Sequence, residues 1–193
     1  MADAPLRPDL QRLLDELDAV DRATERLVSP LTDEQFFWQP NEGRSWSVAQ
    51  CLEHLAMINA MYGAAVAKGI ESARARGLTG GGPIELPLLG GLFVRSMEPP
   101  VKRRFRAPGK AIPRTTKPRA DIMRAFAEGH RVLRDVIRAA AEVDVNRGRF
   151  ANPFLGFIRW TIGTGISVGP AHDRRHLWQA ENVTKAPGFP TAH

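Results

Sequence analysis

The chain has 193 residues, 43% hydrophobic and 25% charged, with a formal net charge of +6; this suits one soluble domain over residues 1–193 and excludes fibrous and fully disordered classes. The longest apolar-leaning stretch, 160–171, is broken by Gly163, Gly165, Gly169 and Pro170 and is too short for a bilayer, and the first residues lack the apolar core of a secretory signal, so a cytoplasmic protein without a membrane partner is expected. A single cysteine, Cys51, rules out an internal disulfide and a multi-cysteine zinc site.

From Asp9 to about Val28, Leu10, Leu13, Leu14, Leu17, Val20 and Leu27 recur at helical spacing among charged residues, predicting a helix with one buried face. Ser29-Pro30 ends it, and a loop follows to Arg44, with a turn around Thr32 to Phe37 and with Phe36, Phe37 and Trp38 plugging one end of the core. A second helix starts at a capping box, Ser47 with Gln50, with Trp46 placed to face Cys51 as a hydrophobic staple. Its inward stripe is Val48, Cys51, Leu52, Leu55, Ile58, Tyr62 and Val66, and it extends to about Ala75. Six glycines between Gly77 and Gly91, and then Pro99, Pro100, Pro108, Pro113 and Pro118, mark a flexible connection over about 77–118, with a small helix at Leu88 to Met97.

A third helix is predicted from about Arg119 to Ala141, carrying Ile122, Phe126, Leu133, Val136, Ile137 and Ala140 inward. The last helix ends near Val183 and starts either at Pro170 or near Trp160. The spacing of Ile162, Ile166 and Gly169 favours the longer version, although an interior proline costs roughly 3 kcal/mol. No strand-like alternation is visible, so the fold class is all-α, a four-helix bundle with long connections and no sheet.

His172 and His176 stand four residues apart on the last helix, so their rings share one face and can ligate one ion. His54 lies at the edge of the inward face of the second helix. A histidine pair on one helix and a single histidine on another can build a three-nitrogen metal site with an open position for water or substrate. Imidazoles suit zinc, nickel, copper or iron. The alternative is hydrogen bonding of all three within the core.

Trp46-Ser47-Val48-Ala49-Gln50-Cys51-Leu52-Glu53-His54-Leu55 and His172-Asp173-Arg174-Arg175-His176-Leu177-Trp178-Gln179 resemble the W-S-x-x-x-x-L-x-H-L and H-D-x-R-H-x-x-Q patterns of the DinB-like (DinB/YfiT) family. The resemblance extends to Val101 through Pro108 and to Phe189-Pro190. It implies a metal-dependent four-helix bundle with His54, His172 and His176 as ligands. The divalent metal is then zinc or nickel first, with iron or manganese as further options. Characterised members of that family use low-molecular-weight thiols, so the resemblance implies a thiol S-transferase acting on electrophiles, with a small-molecule thiol as co-substrate, and admits a homodimer. A non-catalytic metal-containing binding or stress-response protein and a metal-assisted hydrolase are the alternatives.

Gln179 is a candidate for orienting a ligand ring or touching substrate, against helix packing or surface, and Arg175 for holding a substrate carboxylate or capping a carbonyl, against surface ion pairing. Glu53 and Asp173 lie about 100° from their neighbouring histidines; solvation is expected for Glu53, and Asp173 ranks with it below the histidines. Cys51 is expected to be a small buried hydrophobe, His130 structural or exposed, His193 disordered, and Trp160, Trp178 and Phe150 core residues. Between Arg95 and Arg119 nine Lys or Arg face one acid, Glu98, a local charge of +8 that leaves −2 for the rest. With Phe105 as its one aromatic and no recognition motif, the stretch is read as a solvated loop or a rim for an anionic small molecule, and nucleic acid is not an expected partner.

Overall fold

Local capping chemistry starts the helices where the sequence places them. In the computed structural model, which describes residues 6–101, 107, 109–114 and 116–191, the Gln50 N–H donates to Ser47 Oγ at 3.1 Å and the Ser47 N–H donates to Gln50 Oε1 at 2.9 Å. These bonds satisfy donors that a helix N-terminus leaves orphaned, and α3 follows over Val48–Ala75. Thr32 and Gln35 form the same box ahead of the short α2, Asp33–Phe37. Helix α1 spans Pro8–Val28, with Pro8 in the first turn, where its missing N–H costs nothing. The small helix α4 is Leu88–Met97, and α5 is Arg119–Ala139, which tightens into a 3-10 turn at Ala140–Glu142.

The last helix, α6, spans Ile162–Thr184 and carries Pro170 inside it. The longer reading therefore holds. Every residue from Ile162 to Ala171 is buried, so tertiary packing offsets the hydrogen bond that proline cannot make.

The expectation of no sheet is corrected. Strands β1, Arg149–Ala151, and β2, Arg159–Thr161, pair antiparallel with Phe150 opposite Trp160. Three residues are too few for a period of two to show in the sequence. Asn152 closes the hairpin: its N–H donates to the Ile158 carbonyl at 2.9 Å, and its Oδ1 accepts from the N–H groups of Phe154 and Leu155. Thr161 ends β2 and caps α6, its Oγ1 accepting from the Thr164 N–H at 3.1 Å.

The core falls into two apolar clusters. One takes Leu10 to Leu17 of α1, Ile58 to Ala73 of α3, Leu133 to Ile137 of α5 and Ile162 to Val168 of α6. The other takes Val20 and Val28, Val48 to Ala56, Ile122 and Phe126, and Leu177 to Val183. Helices α1 and α6 thus run from the first cluster to the second, and α3 and α5 run the opposite way. Two packed helices that run in the same direction need a long crossover, and the segment between α3 and α5, with α4 inside it, is that crossover. It is not wholly without structure: α4 packs along α6, and a Cβ on Gly90 would stand 2.6 Å from Thr164 Oγ1. The basic residues Lys102, Arg103, Arg104 and Arg106 lie outside the described residues, as do Phe105 and His193. Among the described residues no helix is long and apolar enough to cross a membrane.

At Gly165 the helix passes close to the hairpin. A Cβ there would lie 2.5 Å from Phe150 Cε1 and 2.8 Å from Val66 Cγ2, both on buried side chains. Gly165→Ala is expected to cost about 2 kcal/mol and lower Tm by roughly 4–8 °C, despite alanine's better helix propensity. An unchanged or higher Tm in thermal denaturation would show that Phe150 moves aside without penalty.

Candidate metal centre

His54 projects from α3, and His172 and His176 project from one face of α6, which packs against α3. One ring nitrogen from each lies within 4.8 Å of the others. Ring centroids are 4.5 Å apart for His54 and His176, 4.5 Å for His172 and His176, and 5.2 Å for His54 and His172. The geometry thus brings together the three histidines singled out from the sequence.

Two of the rings are held from behind. His54 Nδ1 lies 2.7 Å from the Ala111 carbonyl oxygen, an obligate acceptor, so Nδ1 carries the proton and Nε2 keeps its lone pair. His176 Nδ1 lies 3.0 Å from Gln179 Oε1 and is oriented in the same way. Trp46 stacks on His176 at a centroid distance of 5.8 Å and leans on His54 at 4.9 Å. It forms an aromatic wall beside the imidazoles, a role beyond the staple expected of it. Sequence reasoning missed this wall and also the Ala111 carbonyl. Trp46 was marked by its place before the cap, whereas a backbone acceptor 57 residues from His54 leaves no side-chain signal.

Electrostatics keep the rings neutral. Burial lowers the pKa of His54, partly offset by the Ala111 bond and the charge on Asp173. Burial first, then the repulsion that a proton on His172 would meet from one on His176 or His54 and from Arg175, holds its pKa well below the ordinary histidine value. His176 is pushed down to about 3 by burial and by His54 and Arg175, against the Gln179 bond. Three neutral imidazoles therefore bring acceptor nitrogens into one small space, and His172 Nδ1 is buried without a hydrogen-bond partner. Such a donor set fits a divalent cation of the zinc, nickel, copper or iron type and leaves coordination positions free. A groove of about 500 Å³ between α3 and the hairpin is lined by Lys68, Phe150 and Arg159 among others and by none of these histidines. Converging nitrogens, rather than cavity size, mark the centre.

Two expectations about neighbouring acids are corrected. Glu53 is buried and lies 3.5 Å from Lys117 Nζ, because 16 of the 28 residues of α3 are buried and a one-sided helical wheel does not apply to a helix covered on several sides. Asp173 is fully buried and belongs to a polar layer between the two apolar clusters. Its Oδ1 accepts from Asn59 Nδ2 at 3.0 Å, and its Oδ2 lies 3.1 Å from His130 Nε2. His130, also fully buried, places Nδ1 2.6 Å from Asp21 Oδ1. Arg134 in turn bonds Asp21 and Asp18. Burial pulls the His130 pKa down, but the carboxylates of Asp173 and Asp21 outweigh it and push it up to about 9. Of the two roles expected for His130, the structural one is observed.

Arg175 is buried, and its Nη1 donates to the Ser96 carbonyl at 3.1 Å, the carbonyl contact expected of it. Arg174 forms ion pairs with Glu98 and Glu16, both at 2.9 Å, joining α6 to the crossover and to α1. Cys51 packs in the second cluster, where burial pushes its thiol pKa up. Phe150 packs near Tyr62, Trp160 stacks on Phe93, and Trp178 is partly buried.

A family profile described as the DinB superfamily matches residues 16–180, a span that contains all three histidines. Comparison with curated proteins and with solved structures returned no match.

The folded protein binds the His130 proton more tightly than the ordinary histidine value of 6.5. The stability this adds, on the order of 3 kcal/mol, is fully present below pH 6.5 and is lost as pH rises through about 9. In urea denaturation from about pH 6 to about pH 10, the advantage of the wild type over His130→Gln should shrink as pH rises. An advantage that stays constant or grows would mean that His130 is neutral in the fold.

Proposed function

Because the chain belongs to the DinB superfamily, we propose that it is a divalent-metal-dependent enzyme, a low-molecular-weight-thiol S-transferase acting on electrophiles, with His54, His172 and His176 as the metal ligands. The observation that carries this reading is the approach of three ring nitrogens within 4.8 Å, with two of the rings tied at Nδ1 to acceptors behind them. When bound, a divalent ion supplies Lewis acidity that makes a thiolate available near neutral pH. Zinc or nickel suits three neutral imidazoles best, iron is a further option, and manganese suits oxygen donors better.

The protein's own groups have separable tasks. Ala111 and Gln179 orient His54 and His176, and burial keeps the ligand rings unprotonated. Trp46 shields two of the rings from water on one side. Cys51 is unsuited to act as the nucleophile, since its thiol is buried and held protonated, so the reactive sulfur comes from a small co-substrate. Arg175, whose charge reaches His172 and His176, is the residue suited to attract an anionic group of either substrate. The reduced thiol pool that such a reaction needs agrees with a cytoplasmic location.

Metal analysis of the purified protein should find about one equivalent of zinc or nickel, largely lost in both His54→Ala and His176→Ala. Full metal content in both variants would overturn the ligand assignment. Metal-loaded protein mixed with cellular thiols and a generic aryl halide should form the conjugate at a rate that needs the metal and falls at least about a hundredfold in His176→Ala. Metal binding without turnover of any thiol would refute the transferase reading in favour of a binding protein.

A further inference from the structure

Helix α6 presents its two histidines to α3 by a particular rotation about its own axis, and little in its backbone defends that rotation. Gly163, Gly165 and Gly169 lie in its first half. Pro170, just before His172, has no N–H for the carbonyl one turn back, so the helix is least braced immediately ahead of the ligand pair. Apolar contacts above and below are non-directional. Arg174 ties the partly exposed side of the helix to Glu98 and Glu16, and Asp173 ties its buried side. Asp173 follows His172, so it leaves the helix about 100° around from it, and its carboxylate is gripped from two other helices, by Asn59 of α3 at 3.0 Å and by His130 of α5 at 3.1 Å. His130 is gripped in turn by Asp21 of α1 at 2.6 Å. Asn59 lies on the same helix as His54, so one side-chain bond links the two ligand-bearing helices directly. The Asn59 bond to the carboxylate and the His130 bond to Asp21 are directional, and the His130–Asp173 contact is an ion pair outside hydrogen-bond alignment.

We propose that Asp173 is a positioning residue of the metal centre: the buried chain Asp21, His130, Asp173 and Asn59 sets the rotation of α6 that brings His172 and His176 to His54. This inference rests on the metal reading above. Breaking the chain leaves the three ligands in place chemically but lets the α6 pair drift from its aim.

The test measures zinc affinity by chelator competition and records the visible absorption of the cobalt-substituted protein, which reports ligand geometry rather than stability. Asp173→Asn is expected to weaken zinc binding roughly ten- to hundredfold and to shift the cobalt bands, with helical circular dichroism retained. His130→Gln should move both readouts in the same direction by less. Ile70→Ala, in the far apolar cluster, serves as a control that lowers Tm but leaves both unchanged. Wild-type affinity and cobalt spectrum in Asp173→Asn overturn this inference alone, and so does an Ile70→Ala variant that moves both readouts as far. If Asp173→Asn does not fold, His130→Gln decides by the same criteria. A wild-type protein that binds no zinc overturns the metal reading and this inference with it.

Discussion

A buried histidine between two carboxylates, a setting that favours its protonated form, is the interaction on which the rest of the arrangement depends. His130 sits at the height in the bundle where one apolar cluster ends and the other begins, and its partners come from α1 and α6, with Asn59 of α3 completing the layer. A buried ion pair is a poor source of net stability, because desolvation consumes most of the attraction. What it supplies is direction. Leucine stripes allow helices to slide or turn by small amounts at little cost, whereas a turn of α6 would draw the Asp173 carboxylate away from His130 and leave two buried charges poorly paired.

The long crossover has two consequences that share one cause. Helices α3 and α5 run parallel and pack together, so the chain must travel the length of the bundle between them. On its way it packs α4 against α6 and then brings the Ala111 carbonyl to within 2.7 Å of His54 Nδ1. A segment whose glycines and prolines suggest only flexibility thus delivers the acceptor that leaves His54 Nε2 free to bind. The crossover is also where the positive charge of the sequence concentrates, and Arg175 lies within electrostatic reach of the three-histidine cluster.

Most of the helices were legible because their determinants are local. Capping boxes at Thr32 and Ser47 consist of residues three apart, and the stripes of α1 and α5 follow the helical period. The hairpin was not legible, since its strands are three residues long and are held by Asn152 and by packing against α3. Glu53 was misplaced for a related reason: a helical wheel assumes one buried side, and α3 is covered by α5, α6, the hairpin and the Ala111 turn. The start of α6 needed the fold as well, because only burial of its first ten residues shows why Pro170 is tolerated.

For the centre itself, the sequence determined the residue types and half of the geometry. His172 and His176 share a face because four residues make about one helical turn, and Gln179 reaches His176 because three residues return to the same side. Whether His54 joins them depends on which helices pack together, a matter of distant contacts with no local spacing to reveal it. Tertiary structure also decided the roles of Ala111, Trp46, Asp173 and His130. Each works through a partner on another part of the chain, and the free energy of burying a charge or aiming a ring exists only once those parts have come together.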